Sequence, residues 1–374
     1  MKIAVLIRNF DINAGGAERY CVELTKRLSQ AHEVHVFSQN TCYQSDDITF
    51  HVITQWFKKP RYLNQLLFSY LTKRATQDKF DIVHSHDMAT HANIYTLHVP
   101  CVKTKWTQAK GIKKILRWAN TLLSPRKIAY LWLENKQMQD SHNRHFISVS
   151  EYLSRNILES YPKLKSHITT AHPGIEIQPT SDEKIAELRK NFRDQYHIPE
   201  SAFVLLFVAH DFKRKGLPAI IKALETLNNK DIHIVVAGSG NPKAIKINSP
   251  IVQSNTHFIG LIKNMSELYP VADAFIHPTL CDTYGMVVLE AMSHKLPVIV
   301  SSAKYCGFSE HLDKDAAIIL NDPTNSMEIS QGIKALTDTK ELRIKISENG
   351  FKKSQDINWE NTTNKTLKAY KKIS

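Results

Sequence analysis

No segment of the 374-residue chain approaches the roughly 18 uninterrupted apolar residues that a membrane-spanning helix needs, which excludes a helical integral membrane protein. The opening residues, Met1-Lys2 and then Ile3 to Ile7 before Arg8-Asn9, are too short an apolar run for a secretory signal. Cysteine is scarce. Cys21, Cys42, Cys101, Cys281 and Cys306 are odd in number, scattered, and form no C-x-x-C pair, so a disulfide framework and a zinc ribbon are disfavoured and a reducing cytoplasm fits. The dinucleotide fingerprint G-x-G-x-x-G is missing too. Gly238-Ser239-Gly240 has no third glycine, which argues against a nicotinamide enzyme. Short-period repeats and low-complexity tracts are likewise absent.

What is present is ordinary globular stock, 42% hydrophobic, enough for two or three domains at roughly 150 residues each. Acidic residues are outnumbered, 36 against 49 Lys plus Arg, for a net charge of +13. Such a balance points to phosphate somewhere: nucleic acid, an anionic membrane or a phosphorylated small molecule. Much of the surplus is local, because no acid lies between Asp87 and Glu134 while Lys103, Lys105, Lys110, Lys113, Lys114, Arg117, Arg126 and Lys127 do. Ile112, Ile115, Leu116, Ala119, Leu122 and Leu123 share one face at helical spacing, with Lys113, Lys114 and Arg117 toward the other and Trp106, Trp118 and Trp132 alongside. That pattern suits a helix lying in a membrane interface, and equally a surface helix packing its stripe on the domain. Nucleic acid is the weakest option, since no recognition motif accompanies the charge.

Short β-branched runs alternate with longer helical patterns, the mark of parallel sheets with crossover helices. One series of expected strands is Ile3–Ile7, Glu33–Ser38, Thr49–Ile53, Asp81–His84, Ile94–His98, Phe146–Ser148 and Ile168–Ala171. A second is Val204–Ala209, Ile232–Ala237, Thr256–Ile259, Ala274–His277, Pro297–Ser301 and Ala317–Leu320. Two α/β halves follow, joined near residues 173–180. Helices are expected at Ala17–Leu28, Leu217–Leu227 and Asn358–Lys372.

Three loops could carry chemistry. Gly15-Gly16 at a helix start allow close backbone approach and offer N–H groups to a phosphate, or form a plain N-cap turn. Asp211-Phe212-Lys213-Arg214-Lys215-Gly216 puts cations at the carboxyl end of a parallel strand, where α/β proteins bind ligands, or is a solvated charge run. In Asp282-Thr283-Tyr284-Gly285-Met286-Val287-Val288-Leu289-Glu290, two carboxylates bracket a loop-to-helix transition whose amides suit an anion and whose carboxylates suit sugar hydroxyls.

These pieces resemble the family-4 glycosyltransferases. The matching segments include Gly15-Gly16-Ala17-Glu18, Ser148-Val149-Ser150-Glu151, His172-Pro173-Gly174, Arg214-Lys215-Gly216, Asp282 through Ala291, Cys306-Gly307-Phe308-Ser309-Glu310 and Trp359, and they cover almost the whole chain. The resemblance implies an α/β GT-B fold: two facing Rossmann-like domains with a cleft between them and a C-terminal helix crossing back to the N-terminal domain. The expected domains are residues 1–175 with 357–374 for the acceptor and 176–356 for the donor. Within the family, the DFKRKG segment and the basic stretch after His98 are most similar to the branch that adds the first glucose to the lipopolysaccharide core heptose.

Carried over residue by residue, the resemblance makes Arg214 and Lys215 the cations at the donor diphosphate. Gly15 and Gly16 close over the reacting sugar, and the backbone amides of Tyr284, Gly285 and Met286 face the phosphates. Asp282 holds donor-sugar hydroxyls, Glu290 the ribose, and His98 lies beside the anomeric centre. Lys103, Lys105, Lys110, Lys113, Lys114 and Arg117 face the membrane and acceptor. Asp282 stands where the family usually has Glu, His210 where an arginine is common, and His172 where Asn is usual. The implied reaction moves a hexose, glucose from UDP-glucose, to a lipopolysaccharide, lipooligosaccharide or related surface glycan with retention. A UDP-N-acetylhexosamine or GDP-mannose donor, or an epimerase on the same scaffold, stays open. No metal or other cofactor is expected, Asp313-Lys314-Asp315 being a surface turn. The expected partners are the nucleotide sugar, a lipid-linked or surface oligosaccharide and an anionic membrane, without nucleic acid. The expected location is cytoplasmic, peripheral on the inner face of the membrane.

Overall fold

The computed structural model describes residues 1–104, 111, 120–121, 123–176 and 180–373. The chain divides into two compact units, Met1–Gly174 completed by the C-terminal helix, and Ile175–Asn358. Each is a parallel sheet with helical crossovers.

The first sheet has seven strands in the order Ile48–Val52, Glu33–Ser38, Lys2–Leu6, Ile82–Ser85, Ile94–Leu97, His145–Ser148 and Ile168–Thr170. The second has six, in the order Thr256–Gly260, Ile232–Ala237, Phe203–Val208, Ala274–His277, Val298–Ser301 and Ile318–Leu320. All thirteen lie where the apolar runs predict them, shifted by a residue or two at their ends. The reason is two-sided burial: in Phe203–Val208, Val204, Leu205, Leu206 and Phe207 are all fully buried, so selection for apolar residues acts on every position rather than on alternate ones. Each such side chain contributes about 1.5–3 kcal/mol by leaving water. The periodicity did not reveal a two-stranded ribbon, Asn9–Phe10 beside Asn40–Thr41, which shortens the expected turn after the first strand.

Helices Gly16–Leu28, Leu217–Leu227 and Trp359–Tyr370 agree with expectation to within a few residues. The last packs on the N-terminal unit. Trp359 meets Tyr20 edge-on at 5.6 Å, the Thr362 hydroxyl donates to the His172 carbonyl at 2.5 Å, and Tyr370 Oη lies 2.8 Å from His84 Nδ1. No helix among the described residues is long and apolar enough to cross a membrane.

Candidate active site

In the C-terminal unit, two crossover loops meet at the carboxyl ends of neighbouring strands. Gly216, the N-cap of Leu217–Leu227, has φ +91°, and a Cβ there would lie 2.0 Å from the Pro278 carbonyl oxygen. Only glycine permits this approach, and the approach brings Arg214 and Lys215 from one loop against Cys281 and Asp282 of the other. Lys215 Nζ pairs with Asp282 Oδ2, and Arg214 donates to the Cys281 carbonyl at 2.9 Å while also pairing with Asp211. Arg214 is half-exposed; Lys215 is mostly buried.

Asp282 is held at its backbone as well, donating to the Tyr305 carbonyl at 2.7 Å and accepting from the Gly307 amide at 3.0 Å. Its second side-chain partner is His277 Nε2, at 3.0 Å from Oδ2. Burial alone would raise the carboxyl pKa, but the His277 hydrogen bond and the Lys215 charge outweigh it and hold Asp282 well below the usual carboxylate range. The same loop ends in Gly285, at φ +100°, as N-cap, with no side chain capping the first turn of Met286–Ser293. A Cβ on Gly285 would lie 2.7 Å from Cys306 Sγ. The carbonyl of buried Tyr284 accepts from the Phe308 amide at 2.6 Å, so the loop is bolted to the segment after the following strand. Glu290, on the same helix, is buried and accepts from Tyr269 Oη at 2.6 Å. Arg214, Lys215, Asp282 and the uncapped helix N-terminus at Gly285 are therefore brought to one end of this unit, with Glu290 further along the same helix, while Gly15 and Gly16 belong to the N-terminal unit. Such a set can neutralise a diphosphate and accept hydroxyl protons.

Asp313 and Asp315 form the surface turn expected of them, paired with Lys353 and Lys345. His210, at the position where an arginine is common, lies 2.9 Å from Ser239 Oγ through Nδ1.

In the N-terminal unit, His98 follows Ile94–Leu97 and lines a cavity of about 290 Å³ together with Arg8, Glu18, His86, Asp87 and Glu134. His98 Nε2 lies 3.1 Å from His86 Nδ1, and His86 stacks on His84 with ring centroids 4.5 Å apart. Burial lowers the pKa of all three, to about 3 for His84, so they stand neutral at pH 7. Asp87 takes the Arg8 guanidinium at 3.0 Å and the Arg8 amide at 2.8 Å. Glu134 accepts from the Val102 and Lys103 amides and from Tyr161 Oη. Gly15 caps the helix Gly16–Leu28, and a Cβ on it would meet only the flexible carboxylate end of Glu18, Oε2 at 2.8 Å; Gly16 has open space, so neither glycine is sterically required within this unit. His172, another departure from the family pattern, pairs with Glu151 at 2.6 Å while its carbonyl receives Thr362.

Of the expected membrane and acceptor cations, Lys105, Lys110, Lys113, Lys114 and Arg117 lie outside the described residues. So do Ile112, Ile115, Leu116, Ala119, Leu122, Trp106 and Trp118. Lys103 is described, and its ammonium sits over the Tyr161 ring at 4.5 Å, a local packing contact. Sequence reasoning did not single out His277, Tyr269, Arg8, Asp87 or Glu134. An ionisable residue ending an otherwise apolar strand, as His277 does, is the signal that could have found the first.

Two Rossmann-like units of this construction, with a cation pair and spaced carboxylates at the strand ends of the second, define a GT-B glycosyltransferase. The family model described as Glycosyltransferase Family 4 matches residues 14–179, and that described as Glycosyl transferases group 1 matches residues 189–353. The chain belongs to the family-4 glycosyltransferases. It is 22% identical to the lipopolysaccharide glucosyltransferase WaaG of Escherichia coli K12, over 92% of both chains, and also 22% identical to a D-inositol 3-phosphate glycosyltransferase of Pseudarthrobacter chlorophenolicus, over 96% of this chain and 90% of that one. A crystal structure of WaaG, a glycosyltransferase involved in lipopolysaccharide biosynthesis, superposes with TM-score 0.81 at 20% identity, covering 100% of this chain and 99% of the other. Anabaena HepE in complex with UDP and glucose gives 0.72 at 16% identity, covering 98% of each.

Proposed function

We propose that this enzyme transfers glucose from UDP-glucose, with retention, to a lipopolysaccharide or lipooligosaccharide core or a related cell-surface glycan. The observation that carries the reading is the convergence of Arg214, Lys215, Asp282 and the uncapped N-terminus at Gly285 in the C-terminal unit, the donor side. The leaving diphosphate takes the developing charge, and these cations and amides stabilise it without a divalent ion. The N-terminal unit, with the His98 cavity, takes the acceptor. The full-length likeness to WaaG supports the glucosyl and core assignments. Incubation with UDP-glucose and truncated core oligosaccharide should release UDP only when acceptor is present, give an α-linked product by NMR, and proceed equally in EDTA. No transfer from UDP-glucose while another nucleotide sugar is consumed would reassign the donor; a β-linked product would remove retention, and an EDTA-sensitive rate would remove metal independence.

The acceptor being lipid-linked, the enzyme works from the cytoplasm against an anionic membrane. Support among the described residues comes from helices Arg61–Thr76 and Pro125–Gln137, which pack together. They join the acid-free stretch from Asp87 to Glu134 to a second one, from Asp47 to Asp78, that carries Lys58, Lys59, Arg61, Lys73 and Arg74. Trp56, 68% exposed, and Trp132, 50% exposed, would serve as the interfacial anchors on this reading. Trp56→Ser with Phe57→Ser should cut co-sedimentation with vesicles containing anionic lipid at least about fivefold and lower the smaller binding to neutral ones as well. Undiminished sedimentation would place the contact elsewhere.

A further inference from the structure

His277 is the terminal residue of the strand Ala274–His277, and its side chain is 1% exposed. Burial, reinforced by the Lys215 charge, lowers its pKa despite the bond to Asp282, so the ring is neutral. A carboxylate only accepts, so Nε2 carries the proton and donates. The other nitrogen, Nδ1, is buried and has no partner among the described residues. A buried imidazole left half-satisfied is costly, and among the described residues its ring bonds only to Asp282.

Both side-chain partners of Asp282 converge on the same oxygen. Lys215 Nζ and His277 Nε2 bind Oδ2, and among the described residues no side chain bonds Oδ1. With the backbone clamped between Tyr305 and Gly307, Asp282 is fixed at three points and has one oxygen unused. The geometry also bears on the departure from the family pattern. An aspartate is one methylene shorter than the usual glutamate, and a short carboxylate serves a ligand only if its direction is set, which the strand-end imidazole does.

We propose that His277 is a positioning residue for sugar transfer: it holds Asp282 Oδ2, together with Lys215, so that Oδ1 is presented to a hydroxyl of the donor sugar. This rests on the reading of Asp282 as a donor-sugar contact. His277 itself touches no substrate. Its hydrogen bond sets the angle of the carboxylate, in the way that outer partners orient metal ligands and catalytic side chains.

The test compares His277→Leu, which keeps bulk but removes the donor, with His277→Gln, whose amide nitrogen can reach the place of Nε2. The readouts are kcat and KM for UDP-glucose, affinity for UDP alone, and Tm. His277→Leu is expected to lower kcat/KM for UDP-glucose by about 10–100-fold while UDP affinity changes less than about twofold, and His277→Gln to recover most of the loss. Equal kcat/KM in the Leu and Gln variants, or a parallel loss of UDP affinity and transfer, overturns the positioning role in favour of a purely structural one. If the Leu variant does not fold, the Gln variant decides: near-normal kcat/KM with an unchanged pH profile supports the role, and a loss as deep as that of Asp282→Asn overturns it. Asp282→Asn separates the two levels. Transfer unaffected by Asp282→Asn removes the donor-sugar reading and this inference with it, whereas transfer abolished by Asp282→Asn but untouched by His277→Leu removes only the inference.

Discussion

With Lys215→Ala, kcat/KM for sugar transfer is expected to fall by about 10²–10³-fold, the size of effect seen when one preorganised group facing a developing negative charge is removed. The lysine has two roles, and the measurement must part them. Its ammonium is the least exposed of the three cations, Lys213, Arg214 and Lys215, after the strand Phe203–Val208, and it neutralises the mostly buried Asp282. Without it Asp282 keeps only the neutral His277, so part of the loss comes from a buried charge with no counter-ion. Lys215→Ala in combination with Asp282→Asn removes that part, because no charge is then orphaned. If Lys215 also meets the diphosphate, the double variant still loses UDP affinity, by more than Asp282→Asn alone. A double variant with the UDP affinity of Asp282→Asn would confine Lys215 to supporting the carboxylate. Arg214, half-exposed and already paired with Asp211, is expected to show the smaller effect of a screened surface charge.

The second large effect is a loss of stability in mild acid. His84 is fully buried between Thr96 and Tyr370, with its pKa reduced by burial from 6.5 to about 3, and His86, stacked on it, is lowered for the same reason. Between these values the unfolded chain binds protons that the folded chain refuses. Stability therefore rises with pH across the window, is complete above about pH 6.5, and is lost as pH falls below it. At pH 5 His84 alone accounts for about 2 kcal/mol, set against an ordinary stability of about 5–15 kcal/mol, and His86 acts in the same direction. Urea unfolding at pH 7 and pH 5 measures the difference. His84→Gln, which cannot titrate, should be weaker at pH 7 yet lose less on acidification. An unchanged difference would mean that other groups set the acid limit.

The strands were legible because parallel sheets buried on both faces leave unbroken apolar runs, and Leu217–Leu227 because Gly216 and Pro218 mark its start. Asp282 and Glu290 could be found by spacing, since both belong to one loop and its helix. Of the partners that give Asp282 its properties, His277 ends the strand five residues before it and carries a local signal, whereas Lys215 reaches it from the neighbouring strand's loop, 67 residues away in sequence, and could not be found so. Arg8 and Asp87 are separated by 79 residues and meet only because their strands are neighbours in the sheet. Pairings of this kind depend on strand order, which composition and periodicity do not encode. Gly15-Gly16 stand out by type alone, and within the unit neither is closed to a side chain: Gly16 faces open space and Gly15 only the flexible end of Glu18.

The helix Trp359–Tyr370 has a consequence for how the protein is made. Trp359 and Tyr370 are among the largest fully buried side chains of the chain, and they belong to the N-terminal unit. On the ribosome, the first 174 residues emerge well before the segment that closes their core. The contiguous unit Ile175–Asn358 has all of its own residues earlier and can finish first, reversing the usual order in which domains mature along a nascent chain. Until the codons for Trp359–Tyr370 are read, Tyr20 and His84 wait with an open face, and a transcript truncated before them would release a chain whose unit Ile175–Asn358 is complete and whose N-terminal unit is not.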